Sequence, residues 1–243
     1  MASTESIAAS ESSLINLRWR DLYRVATIIS IVALVIVVFA IPAFVIWPYA
    51  PGRLSTEEIF ALIQGDPFGA LISFDFLLLL GNFTSIVLFV ALYVALKRVN
   101  ESYALIALVM GIFAGVLLVP ARPILELFHL SDLYSAAATE SVRMQVLAAG
   151  ETLLAAFDGI AWFTNTLLGG ITLTVFSLLM LQSSSFSKAT AYVGLVTNIA
   201  VCAFFVPVIG TFLLFLSVPG YIVWYILLTR DFFKMGWGAA PAE

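Results

Sequence analysis

Four ionisable side chains lie inside or beside long apolar stretches, where charged residues are otherwise rare. They are Asp75, Arg122, Glu126 and Asp158. Paired carboxylates can in principle carry out acid–base chemistry, and a buried arginine needs acceptors for its five N–H groups. Charged side chains are costly in the membrane interior and usually face a protein interior or a cavity there. Arg122 and Glu126 can equally be explained as residues that reach the headgroups or water. We expect a polar cluster formed by the set.

Two of these carboxylates belong to a short pattern that occurs twice. Phe74 and Asp75 are followed by Asn82, and Phe157 and Asp158 are followed by Asn165. In both cases the asparagine comes seven residues after the aspartate. Seven residues make two helical turns, so on a helix each asparagine shares a face with its aspartate. Chance and an internal duplication both remain open as explanations.

The stretch 111–129 joins a small-residue face to charge. Gly111 and Gly115 have the spacing of a helix-packing motif, and on a regular helix Arg122 and Glu126 share their face. Pro120 and Pro123 flank the arginine and remove helical N–H donors. We therefore expect Arg122 to point inward and to pair with at least one of three carboxylates, namely Asp75, Glu126 and Asp158.

The residues that build common catalytic or metal sites are scarce. The chain has one cysteine, Cys202, and one histidine, His129, so these two types cannot supply a zinc site. Gly-rich phosphate loops and the common hydrolase and metalloprotease motifs do not occur in the sequence. We expect neither a metal nor a cofactor. An intramembrane enzyme is the least favoured class of function.

Composition indicates that lipid surrounds most of the chain. Of its 243 residues 62% are hydrophobic and 11% are charged, and the mean hydropathy is +1.09. Soluble domains are about one quarter charged. The net charge of −4 argues against nucleic acid as a partner, since such proteins present a basic face. Membrane lipid is the expected partner, and a protein partner or a second copy of the chain stays open.

The predicted fold is all-α, with six transmembrane helices in a single domain over residues 18–235. Residues 1–17 are expected to be a disordered tail and residues 236–243 a second tail. A short interfacial helix is expected over residues 53–68, opened by a capping box of Ser55 and Glu58, and a polar outer helix over 131–150. The predicted spans are 25–47, 71–96, 103–128, 151–181, 189–206 and 211–228.

Basic residues indicate the orientation of these spans. Only Arg53 and Arg143 fall on the face that also carries most acidic loop residues. The other basic residues outside the spans lie on the face that holds both termini: Arg18, Arg20, Arg24, Lys97, Arg98, Lys188, Arg230 and Lys234. Cytoplasmic loops carry the excess of lysine and arginine. The sequence therefore predicts that both termini are cytoplasmic.

The chain resembles a group of small bacterial six-helix membrane proteins classed as a domain of unknown function. The resemblance covers most of residues 20–235 and rests on the basic start, the Arg122-x-x-x-Glu126 segment, the polar helix before the fourth span and the final VPGYIVWYILL span. It implies an architecture and a bacterial inner membrane, but no chemistry. An accessory or hydrophobic-ligand-binding protein is favoured, with a small transporter or proton-coupled carrier as the alternative.

Overall fold

The computed structural model describes residues 19–238, apart from the side chain of Thr211, and this part of the chain contains helices, turns and bends but no strand. The helices, numbered in chain order, are α1 (Arg20–Ile46), α2 (Thr56–Gly65), α3 (Pro67–Ser73), α4 (Phe76–Leu96), α5 (Glu101–Leu118), α6 (Ile124–Ala136), α7 (Glu140–Phe157), α8 (Ile160–Gln182), α9 (Lys188–Cys202), a short 3₁₀ helix (Ala203–Phe205) and α10 (Gly210–Trp237). The predicted tail 1–17 and residues 239–243 of the second predicted tail, 236–243, lie outside the described residues, while Gly236 and Trp237 still belong to α10.

Six segments of the described chain are long and apolar enough to cross a membrane: Arg20–Ile46, Phe76–Leu96, Glu101–Leu118, Glu140–Gln182, Lys188–Phe205 and Phe212–Trp237. The predicted all-helical class with six spans is therefore confirmed. The large apolar side chains left exposed along α1, such as Val35 and Val45, fit a helix whose outer surface contacts lipid.

The described contacts separate into two compact units. The first contains residues up to Val35, Thr84–Gly111 and residues from Gly170 onward, and the second contains Ile36–Phe83 and Ile112–Gly169. The helices α1, α4, α5 and α8 each contribute residues to both units. The polar cluster expected from the sequence falls within the second unit.

The third predicted span ends earlier than the sequence suggested. Helix α5 stops at Leu118 and a new helix, α6, begins at Ile124, so the expected helix over 103–128 is interrupted. Pro120 lacks the N–H that the Val116 carbonyl would receive, and the Val119 N–H bonds to that carbonyl instead, at 3.3 Å. The Arg122 N–H likewise donates to the Val119 carbonyl, at 3.2 Å. The regular face from Gly111 to Glu126 therefore does not exist.

Three other predicted helices also divide. The second span begins as α3 and breaks at Phe74 and Asp75 before α4 starts. The polar helix over 131–150 is two helices, α6 and α7, separated at residues 137–139, and Thr139 caps the second through a bond from the Val142 N–H. The predicted fourth span over 151–181 is also divided, since α7 ends at Phe157 and α8 begins at Ile160.

Helix α2 begins as the sequence predicts. The Ser55 side chain accepts from the Glu58 N–H, and the Glu58 carboxylate accepts from the Ser55 N–H at 2.8 Å, so both halves of the capping box form. The apolar side of α2 packs against the protein itself. Ile59, Phe60 and Ile63 are buried in the core of the second unit, where their neighbours include Phe74, Ile124, Leu127 and Phe157. That side of α2 is therefore unavailable to lipid.

Candidate functional site

The Arg122 site comprises Arg122, Asp75, Phe157 and Trp162. It lies in the second unit where three helix interruptions meet: the α3–α4 break, the segment between α5 and α6, and the α7–α8 break. The Arg122 residue is only 4% exposed. Its Nη2 lies 2.8 Å and its Nε 3.0 Å from one oxygen, Oδ2, of Asp75. Of the three carboxylates expected near Arg122, Asp75 is the one that pairs with it.

The remaining face of the guanidinium is occupied by backbone and aromatic groups. Nη1 donates to the carbonyls of Ala121 at 2.8 Å and Phe157 at 2.9 Å. The guanidinium carbon lies 4.4 Å from the Trp162 ring centre and 5.1 Å from that of Phe157, which adds cation–π attraction. These contacts hold Arg122 against α7, α8 and the α3–α4 break together.

Asp75 reaches Arg122 from an uncommon backbone conformation. Its φ is +63°, in the left-handed region, where aspartate is better tolerated than most residues. The side chain is 14% exposed and its neighbour Phe74 is fully buried. Strain of this kind persists when surrounding contacts fix the residue. The two N–H bonds from Arg122 and the packing of Phe74 against the Phe157 ring, 6.1 Å between centres, are such contacts.

The other two carboxylates do not join the ion pair. Asp158 is exposed, and its Oδ2 would lie 3.4 Å from a Cβ at Gly52, whose φ is +74°. Glu126 is exposed on α6. Tyr49 is half-buried in the loop after α1, and burial raises the pKa of its hydroxyl, an effect that Asp75 and Asp158 reinforce and Arg122 opposes. Tyr49 therefore lies within electrostatic range of Arg122, Asp75 and Asp158.

The two asparagines of the repeated pattern bind consecutive carbonyls of α5. The Asn82 Nδ2 donates to the Gly115 carbonyl and the Asn165 Nδ2 donates to the Ala114 carbonyl, each at 2.8 Å. The Gly115 carbonyl has lost its regular donor, since the Val119 N–H turns to Val116. The repeated pattern thus secures the end of α5 from two neighbouring helices.

Gly111 and Gly115 serve close packing in different ways. A Cβ at Gly111 would lie 2.7 Å from the Phe89 ring and 2.8 Å from the Thr172 methyl, so a side chain there would clash within the first unit. Gly115 is buried and offers its carbonyl to Asn82. Both glycines face protein rather than lipid.

A groove of about 430 Å³ runs between α6 and α7, beside the end of the Arg122-bearing segment. Most of its wall is apolar, while Glu126 and His129, one turn apart, add polar groups. The lining residues are Glu126, His129, Leu130, Ala149, Thr152 and Leu153. Among the described residues, no group of three or more histidine, cysteine, aspartate or glutamate side chains could hold a metal ion.

Sequence reasoning missed three contributors to the polar interior. Trp162 lies one helical turn after Asp158, a spacing that could have indicated its place near the cluster. No feature of the sequence indicated that Tyr49 lies near the cluster. In the first unit Asp231 is 2% exposed and its Oδ2 accepts the Ser187 N–H at 3.0 Å and the Thr190 hydroxyl, so it secures the start of α9. From the sequence Asp231 had no assigned role, because it lies after the predicted end of the sixth span at residue 228.

These features define a polytopic helical membrane protein with a buried arginine–carboxylate site. A family described as a domain of unknown function (DUF4386) matches residues 22–229, and the chain belongs to that family. Searches of curated proteins and of solved structures find no match.

Proposed function

We propose that the protein is an accessory or binding protein of the membrane, which holds a hydrophobic ligand such as a lipid acyl chain in the groove between α6 and α7. The groove carries this proposal. Its walls are mostly apolar, and Leu130, Ala149 and Leu153 contribute to them. Ligand sites are typically concave and apolar with a few polar groups that fix orientation. Glu126 and His129 supply such groups here.

The state of Arg122 supports a binding or accessory role over one in substrate handling. Of its five N–H donors, one meets the Ala121 carbonyl, one the Phe157 carbonyl, and Nε and Nη2 meet Asp75. A guanidinium with these partners has little capacity left for a substrate anion. We infer that it holds the site together, and that ligand contacts belong to the groove.

The experiment compares two tryptophan substitutions on α7, Ala149→Trp and Ala148→Trp. Both alanines are exposed, but only Ala149 lines the groove. The protein is purified with native lipid and the bound lipid is measured by native mass spectrometry. Ala149→Trp is expected to lower lipid occupancy about tenfold, equivalent to roughly 1.4 kcal/mol, while Ala148→Trp retains it. Equal occupancy in both variants would count against the groove as the site.

A small transporter or proton-coupled carrier is the second candidate. Interrupted helices beside an ionisable pair are features of transporter sites. The exposed Asp158 has no ion pair among those found between residues 19 and 238 and lies near Tyr49 and Asp75. Asp158→Asn should then abolish substrate or proton flux in proteoliposomes and leave bound lipid unchanged. If the protein has the accessory role instead, neither the wild type nor Asp158→Asn should transport substrate or protons.

We further propose that the protein lies in the inner membrane of a bacterium with both termini cytoplasmic. The basic residues at the starts and ends of the spans support this orientation, since Arg53 and Arg143 alone fall on the other face. Cysteines introduced as Val99→Cys and Glu140→Cys in a Cys202→Ser background test it. An impermeant maleimide added to intact cells should label position 140 and spare position 99. The reverse pattern would overturn the orientation.

A further inference from the structure

The turn between α9 and α10, residues 206–209, contains no polar side chain. Its residues are Val206, Pro207, Val208 and Ile209, and no charged residue occurs from Ala189 to Thr229. Turns in water are rich in glycine, asparagine, aspartate and serine. Val208 is fully exposed, and Val206 and Ile209 are 44% and 51% exposed. This apolar turn is therefore unlike the aqueous loops that hold Arg53 or Lys97.

The backbone of the apolar turn satisfies much of its own hydrogen-bonding capacity. The Ile209 N–H donates to the Pro207 carbonyl at 2.9 Å, and the Gly210 N–H donates to the Val206 carbonyl at 2.9 Å. Pro207 has no N–H to satisfy. Every backbone polar group that lies in hydrocarbon must be paired within the protein, so an irregular turn exposed to lipid is confined to the edge of the hydrocarbon. The turn meets that requirement to a large extent.

The conformation of Val208 presents an apolar side chain outward. Its φ is +73°, and the Ile209-to-Pro207 bond closes around it, which is the arrangement of the strained γ-turn. A β-branched residue is a clear outlier at positive φ, where glycine or asparagine is common. Gly210 permits the tight fold, because a Cβ there would overlap the Phe204 carbonyl. The chain thus has valine at the most exposed point of the turn, in a conformation that polar turn residues adopt more easily.

The length of the hairpin places this turn near the edge of the hydrocarbon. Helix α9 and the following 3₁₀ helix together extend about 28 Å from Lys188, against a hydrocarbon thickness of about 30 Å. The close approach of Gly170 on α8 to Cys202, 2.6 Å from an added Cβ to Sγ, aligns α9 with the middle of α8. Beyond Cys202 only about 6 Å of 3₁₀ helix precedes the turn.

We propose that the apolar turn is embedded in lipid, at the boundary between hydrocarbon and headgroups, and does not emerge into water. Its contact partner is the acyl region of the phospholipids in the leaflet opposite Lys188. The α9–α10 hairpin then penetrates one membrane surface and stops inside the other. Val206, Val208 and Ile209 provide its apolar contact with lipid.

The test uses Val208→Cys in a Cys202→Ser background, in phospholipid vesicles that contain only this protein, with Cys202→Ser alone as the blank. Ala138→Cys, in the exposed link between α6 and α7, is the matched aqueous control. A charged maleimide is supplied on both sides of the membrane. The thiol at position 208 should react at least about tenfold more slowly than that at position 138, since thiolate formation is disfavoured in apolar surroundings. In denaturing detergent both should react alike.

A second measurement distinguishes lipid from protein as the cover. An environment-sensitive fluorophore at position 208 should be quenched by nitroxide groups on lipid acyl chains and not by iodide in the water. Quenching by iodide, or maleimide labelling as fast as at position 138, would overturn the proposal. So would the absence of quenching by either agent, because the turn would then be covered by a second copy of the chain.

Discussion

Asn82 and Asn165 donate their side-chain amides to adjacent carbonyls of α5, those of Gly115 and Ala114, with the same donor–acceptor distance of 2.8 Å. Each asparagine follows a helix break that contains an aspartate, and each of these aspartates directly follows a fully buried phenylalanine. The two copies of the sequence pattern therefore have the same structural role, since each places an asparagine that binds the end of α5.

The two asparagine bonds should differ in strength. Asn82→Leu leaves the Gly115 carbonyl without a donor, because Val119 bonds elsewhere, and should cost about 1–2 kcal/mol of stability. The Ala114 carbonyl can still accept the Leu118 N–H within α5, so Asn165→Leu should cost less, nearer the ~0.6 kcal/mol average of side-chain bonds in membrane proteins. Reversible unfolding in mixed micelles measures both. A larger loss for Asn165→Leu would contradict this account of the proline effect.

Arg122→Leu should destabilise the protein by about 3 kcal/mol, because it leaves the Asp75 carboxylate without its partner. Arg122→Lys should restore little, since an ammonium cannot reach Asp75 and two carbonyls together or stack on Trp162 as a planar group can. The same unfolding measurement applies. The double variant Arg122→Leu with Asp75→Asn, which removes the charge and keeps a residue tolerant of positive φ, should recover part of the loss. If the double variant recovers no stability, the loss in Arg122→Leu does not come from the unpaired Asp75 carboxylate.

The spans could be predicted because lipid imposes a simple length and composition rule on them. The inward position of Arg122 was predicted from a helical face shared with Gly111 and Gly115 and from the flanking prolines. The shared face does not exist, because the helix is interrupted after Leu118, so only the argument from the prolines holds. The break at Asp75 was not predictable in the same way, since neither proline nor glycine occurs there and the left-handed conformation depends on the distant Arg122. Asp231 acquires its role only from contacts with the remote residues Ser187 and Thr190, which spacing along the chain does not reveal.

The capping box of α2 should make this helix sensitive to acid. Hydrogen bonds from the Ser55 backbone and hydroxyl lower the pKa of Glu58 below its ordinary value. A lowered pKa in the folded state means that the cap stabilises α2 above the unfolded-state pKa and loses this contribution as the pH falls through the folded value. Hydrogen exchange of α2 peptides, corrected for intrinsic rates, should show protection declining on acidification. Glu58→Gln keeps the hydrogen-bonding pattern without a titrating group and should remove that decline. An identical decline in both proteins would show that the Glu58 carboxylate is not the cause of the acid sensitivity.

Asp231→Ala should loosen the start of α9. The substitution leaves the partly buried Ser187 N–H without its acceptor and leaves the Thr190 hydroxyl with only the Ser187 hydroxyl as a partner, a loss of about 2 kcal/mol. Lys234→Ala, one turn further along α10 and exposed, is the matched control and should change stability little. Hydrogen exchange of the first turn of α9 reports the effect locally. Equal protection of that turn in the two variants would show that Asp231 is not its anchor.

Adjacent glycines on α8 should respond in opposite directions to the same change. A Cβ at Gly169 meets nothing within 4 Å, so Gly169→Ala should raise stability by about 0.5–1 kcal/mol through the lower conformational entropy of the unfolded chain. A Cβ at Gly170 would lie 2.6 Å from Cys202 Sγ, and Gly170→Ala should cost about 1–3 kcal/mol.

The clash at Gly170 involves only the sulfur atom of Cys202, so shortening the side chain at position 202 should remove it. Adding Cys202→Ala to Gly170→Ala should recover most of the loss, and the four proteins of this cycle give the coupling between the two positions. The next contact of the added Cβ, 3.5 Å from the Asn198 carbonyl, is ordinary van der Waals distance and should not prevent recovery. Full additivity of the two substitutions would mean that α8 and α9 do not approach each other at Gly170, and the alignment of the α9–α10 hairpin with α8 would lose its support.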